Sequence, residues 1–143
     1  MSTPDADFAL DLRDLVPQPD TCEMLDERGF DMVTHFFWDH DRLLRAERGY
    51  QPSPSAARLP APTAAELGRV LPREVRYEGV PYSVRVELGF VYYTVFYITG
   101  DERMMFGYES AKTEAEARAR SWLRLESAGL LDQDFSSDTK RQP

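Results

Sequence analysis

The chain has 143 residues, 42% of them apolar, and a formal net charge of −8 from 17 Lys and Arg against 25 Asp and Glu. That length suits one domain, which buries enough surface on folding to need no metal or disulfide staple. The acidic balance runs against a general nucleic-acid binder, whose phosphate contacts need cations, the lone Cys22 excludes an intrachain disulfide, and no apolar run approaches the ~18 residues of a membrane span.

Residues 1–7 are polar and expected to fray. They lack the basic-then-apolar pattern of a signal peptide, and with one cysteine the expected setting is reducing and cytoplasmic. Phe8, Leu12, Leu15 and Val16 recur at helical spacing, and Pro17 and Pro19 end that segment. "PDTCEMLDERGF" predicts a short helix holding Cys22 as a small buried apolar residue. Asp20 is its expected N-cap and Glu23 completes a capping box; Gly29 takes the left-handed position after the helix and Phe30 folds back onto the last turn. "MVTHFFWD" favours a strand, "DHD" a turn and "RLLR" a return strand. Residues 45–62, with four prolines, read as a long loop inside one domain.

Thr63 and Glu66 form the capping box of a second short helix, which Pro72 stops. Strands follow. "REVRY" leads to a turn at Glu78-Gly79. In "VPYSVRVEL", Val80, Tyr82, Val84, Val86 and Leu88 alternate with Pro81, Ser83, Arg85 and Glu87, so one face is buried and one wet. "FVYYTVFYIT" is apolar on both faces, which suits a central strand. "TGDE" turns the chain into "RMMFGYE", the last strand. The closing helix opens with Thr113 and Glu116 in a capping box and carries an apolar stripe of Ala115, Ala119, Trp122 and Leu123. Glu114–Arg118 and Glu116–Arg120 are i,i+4 pairs, and Gly129 ends the helix with Leu130 and Leu131 at its C-cap. Residues 132–143 are polar and expected to be loose.

The pattern predicts an α+β fold: a single, mostly antiparallel sheet of four or more strands, helices packed mainly on one face, and a C-terminal helix following a β-β-β unit. Aromatic rings concentrate in 90–108. If one face of the sheet stays open, Tyr92, Tyr93 and Tyr97 with Arg118, Arg120 and Arg124 are the candidate residues for stacking single-stranded bases. Packing or a protein interface is the preferred reading, because tyrosines suit half-buried sheet surfaces and the charge of −8 disfavours phosphate. Met104 and Met105 beside them suit core filling.

His35, Asp39 and His40, with Asp41, are the candidate ligands for a divalent cation. The same residues are ordinary at a hairpin turn. No Gly-rich phosphate loop, Ser-His-Asp order, HExxH or paired CxxC is present, so no cofactor is expected and catalysis is disfavoured.

"MMFGYESAKTEAEARARSWLRL" resembles the end of a double-stranded-RNA-binding domain, with strands running into a capped, alanine-containing helix; the resemblance covers about residues 73–126. Only Lys112 stands where that family carries a run of lysines. The wider layout resembles a group of small phage- and prophage-associated bacterial proteins with no assigned activity: "ERGF" before "HFFWD", a Pro-rich loop, "APT" opening a helix, aromatic strands and "TEAEARARSWL". That resemblance implies a cytoplasmic accessory protein. The expected function is a non-catalytic protein-interaction module with a protein partner or a second copy of itself, without a membrane. The alternatives are a nucleic-acid binder and a metal-dependent enzyme at 35–41.

Overall fold

The computed structural model describes residues 11–50 and 58–131. The expected disorder of 1–7 and 132–143, and Phe8, lie outside the described residues. Of the segment around Leu12 and Leu15, one 3-10 helix remains, Leu12–Leu15, capped by the Asp11 side chain. Helix α1 (Pro19–Glu27) follows, and here the expectation is corrected: Gln18 stands at the N-cap and Pro19 opens the helix. A proline fits there because the first helical N–H has no partner in any case. Asp20 therefore sits in the first turn instead of capping it. The other end is as expected. Gly29 has φ +83, Gly29 N donates to Asp26 O (3.2 Å) and Phe30 N to Leu25 O (2.9 Å), the two bonds of a Schellman C-cap.

Strands β1 (Thr34–Asp39), β2 (Arg42–Tyr50) and β3 (Arg58–Ala61) form an antiparallel sheet in the order β2-β1-β3. Two parts of the expected loop at 45–62 are thus strand. The prolines hid β3, yet Pro60 is tolerated because β3 is an edge strand with one neighbour. Val16, Cys22, Trp38 and Ala61 form the core of this half. Trp38 Nε1 donates to Pro17 O at 3.0 Å, so the indole is buried without an orphaned donor.

After Pro62 the chain enters helix α2 (Ala64–Val70) instead of another strand of that sheet. A second antiparallel sheet, β4 (Glu74–Tyr77), β5 (Val80–Leu88), β6 (Tyr93–Ile98) and β7 (Met105–Ala111), runs as a meander in sequence order. The α+β class and the C-terminal helix after strands are as expected, while the strands divide between two sheets where one was predicted. Glu78 and Gly79 both have positive φ (53 and 80), the geometry of a two-residue type I′ turn.

Helix α3 (Glu114–Ser127) and α2 cover one face of the second sheet. Leu67 and Val75 meet Tyr82, Tyr97, Ala115, Ala119, Trp122 and Leu123 in the largest core cluster, and Phe30 from the front half adds an edge-on contact to Trp122 at 5.3 Å. The alanines at 115, 117 and 119 let the helix approach the strands closely; Ala117 packs on Val95 and Ala111. No described helix is long and apolar enough to cross a membrane.

Candidate interaction surface

Two buried glutamates join the front and back of the molecule. Glu66 closes its capping box, accepting from Thr63 N at 2.8 Å, and its other oxygen accepts from His35 N at 3.1 Å. Glu116 donates its backbone N–H to Thr113 Oγ1, but its side chain turns away from the box. It accepts instead from Gln18 N (2.9 Å), the Thr21 hydroxyl (2.6 Å) and Arg120 Nε (2.8 Å). Both carboxylates are nearly inaccessible and fully engaged by donors, which is how buried charge is tolerated. They act as joints between elements, and Glu116 also lines the groove that Trp38 and Tyr92 border.

The arginines of α3 face carboxylates of the same chain. Arg118 Nε meets Glu114 at 2.7 Å, Arg120 bonds Glu116 and also the Ser110 carbonyl (3.1 Å), and Arg124 pairs with Glu109. Of the tyrosines, Tyr97 is fully buried, donates its hydroxyl to Pro72 O at 2.7 Å and stacks on Phe106; burial pushes its phenol above its ordinary pKa. Tyr93 is half-buried against Val95, Ala111 and Ala117. Tyr92 alone of the three is exposed. The structure therefore brings Tyr92 and Arg120 to one groove, places Tyr93 beside Lys112 on the next, and leaves Tyr97 in the core. These six residues do not form one stacking face.

His35 and Asp39 stand at opposite ends of β1, about 13 Å apart at ~3.3 Å per residue. His40 occupies the hairpin turn with φ 59, its Nδ1 3.0 Å from Asp39 Oδ1. Among the described residues no three His, Cys, Asp or Glu side chains are grouped to hold a metal ion.

The outer face of the second sheet, away from the helices, has its own small apolar strip. Phe96 and Tyr108 stack at 5.8 Å, Thr94 and Ser110 share a hydrogen bond (2.8 Å), and Met105 and Tyr108 stay exposed. Edge strand β7 is interrupted in two ways. Gly107 (φ +70) lies in a bulge where β7 has an extra residue against Phe96, and Arg120 occupies the Ser110 carbonyl. Both devices hinder strand addition at an edge.

The surface feature that the sequence reading passed over is the tip of the β5–β6 hairpin. Gly89 N donates to Tyr92 O (2.8 Å) and closes a tight turn, from which Leu88 (65% exposed), Phe90 (wholly exposed), Val91 (58%) and Tyr92 (48%) project. The signal was present in "LGFVY": a turn is normally built from polar residues, Gly and Pro, and this one is apolar throughout. Beside the tip, and sharing Tyr92 with it, lies a groove of about 670 Å³. Its lining is mostly polar, with Arg13, Lys112, Arg120, Asp14, Asp41 and Glu116, and its apolar members Val16, Trp38 and Ala111 are nearly buried.

Comparison with protein-family models, with curated proteins and with solved structures gives no match.

Proposed function

We propose that the chain is a non-catalytic protein-interaction module whose anchor is the apolar tip of the β5–β6 hairpin. The observation that carries this reading is the exposure of four large apolar side chains within the five residues Leu88–Tyr92. At ~200 Å² for a whole aromatic ring, their exposed surface amounts to roughly 500 Å², near the top of what a lone monomer displays. A convex aromatic knob of this kind is what fills a partner's pocket at the centre of an interface. The ion-paired arginines of α3 support a protein partner over a phosphate backbone, since their charge is already matched within the chain.

The test is to place a photoreactive phenylalanine analogue at position 90 of the full chain and irradiate it in the cells that make it. The expected result is discrete adducts with polypeptide, absent when the probe stands at Pro81 on the exposed face of β5. Adducts with nucleic acid or lipid only, or none at all, overturn the reading.

A further inference from the structure

We infer that the hairpin tip docks on a basic protein surface, one whose apolar pocket for Phe90 is ringed by lysine or arginine side chains. This rests on the interaction reading above and adds the chemistry of the partner.

The tip supplies the anchor, and the charges around it supply the sign. A specific interface surrounds its apolar centre with a polar rim. At the groove beside the tip, Asp11 is taken up by Arg13 and Glu116 by Arg120. Asp14 and Asp41 line the same groove as Tyr92, are exposed, and have no ion-pair partner among the described residues. Glu87, exposed next to Leu88 at the base of the hairpin, has none either. Against these carboxylates the groove sets one cation without a carboxylate of its own among the described residues, Lys112. The surroundings of the tip are therefore net negative once the chain's own pairs have formed.

The three carboxylates come from separate elements: the 3-10 helix, the turn between β1 and β2, and β5. A partner can match them without first breaking an existing pair. A guanidinium or ammonium entering the groove also meets Tyr92, whose half-exposed ring attracts a cation to its face. The charge of the whole chain acts in the same direction. At −8 it draws basic partners from a distance and repels acidic ones, a second copy included. The same repulsion restrains the self-association that a large exposed apolar patch invites.

The photoprobe at position 90 of the full chain tests this through the charges beside it. The double reversal Asp14→Lys with Asp41→Lys should lower the yield of protein adducts in cells at least ~5-fold, because each change turns a rim attraction into a repulsion. Lys112→Glu should leave the yield unchanged or raise it. All three positions are exposed, so the variants keep their fold, which equal urea midpoints check. In cell extract, raising KCl from roughly 50 to roughly 500 mM should cut the yield for the chain with its native rim, since exposed charges are screened over that range. Adducts undiminished in the double reversal, lost in Lys112→Glu or indifferent to salt overturn the basic partner and keep the interaction reading. No protein adducts from the chain with its native rim removes both.

Discussion

Truncating Glu116 to alanine should be among the most damaging single changes in the back half. The Thr21 hydroxyl is buried and the Gln18 N–H partly so, and each loses its acceptor. A buried donor left unpaired costs about 1–3 kcal/mol. Arg120, half-exposed, finds water instead, and its pair with Glu116 is worth less than about 1 kcal/mol. The sum is about 2–7 kcal/mol, centred on ~4, a large part of the ~5–15 kcal/mol that holds a domain folded. With a urea m-value of about 2 kcal/mol/M, the midpoint of a urea melt should fall by roughly 2 M. Glu116→Gln should cost less, because one carbonyl oxygen still accepts, and Arg120→Ala should move the midpoint by under ~0.5 M. A Glu116→Ala loss below about 1 kcal/mol, or an Arg120→Ala loss as large as that of Glu116→Ala, would refute the reasoning that Glu116 acts through Gln18 and Thr21.

Thr63→Ala removes the cap of α2 and should lower stability by about 1 kcal/mol in the same melt. Gly107→Ala places a Cβ on a residue at φ +70; it meets Arg124 Cδ and a Tyr97 ring carbon at 3.8 Å, ordinary van der Waals contact, so the cost is conformational, about 1–2 kcal/mol. Tyr97 supplies a pH dependence. Its folded phenol is held above the ordinary value of 10.0 by burial, so the protonated form is the one the fold favours. That contribution is complete below pH 10 and is lost as pH rises beyond it. Tyr97→Phe forfeits the bond to Pro72 O, about 1 kcal/mol at neutral pH, and its stability gap to the native chain should narrow in melts taken above pH 10.

Much of the fold was legible because it is written locally. The Thr63–Glu66 box, the alternation of Val80 to Val86 and the Gly29-Phe30 C-cap each depend on residues within a few positions of one another, whereas Leu88, expected on the buried face, is exposed. So does the second Schellman cap, where Leu130 N donates to Leu125 O at 2.9 Å. The expectations failed where two local rules competed or where a distant partner decided. Asp20 was a sound N-cap by residue type, but Pro19 at the first helical position took precedence. Pro60 argued against a strand, and only the edge position of β3 makes it tolerable. Glu116 looked like any capping-box glutamate; its true partners, Gln18 and Thr21, lie almost a hundred positions away. The candidate site fared worst. Tyr97 and Tyr92 have the same side chain, and their difference in burial comes from α3 lying over one of them.

The two cap glutamates also order the events of assembly. Their helices bracket a meander whose contacts are close in sequence, whereas the bonds that tie down the front third close loops of 31, 95 and 98 residues. Loop closure slows with length, so local contacts lead and distant ones follow. The carboxylates of Glu66 and Glu116 are thus expected to be in place before His35, Gln18 and Thr21 reach them. Interactions made after the rate-limiting step govern how fast a protein comes apart and hardly touch how fast it forms. In a stopped-flow chevron, loss of Glu116 is expected to show mainly in the unfolding limb.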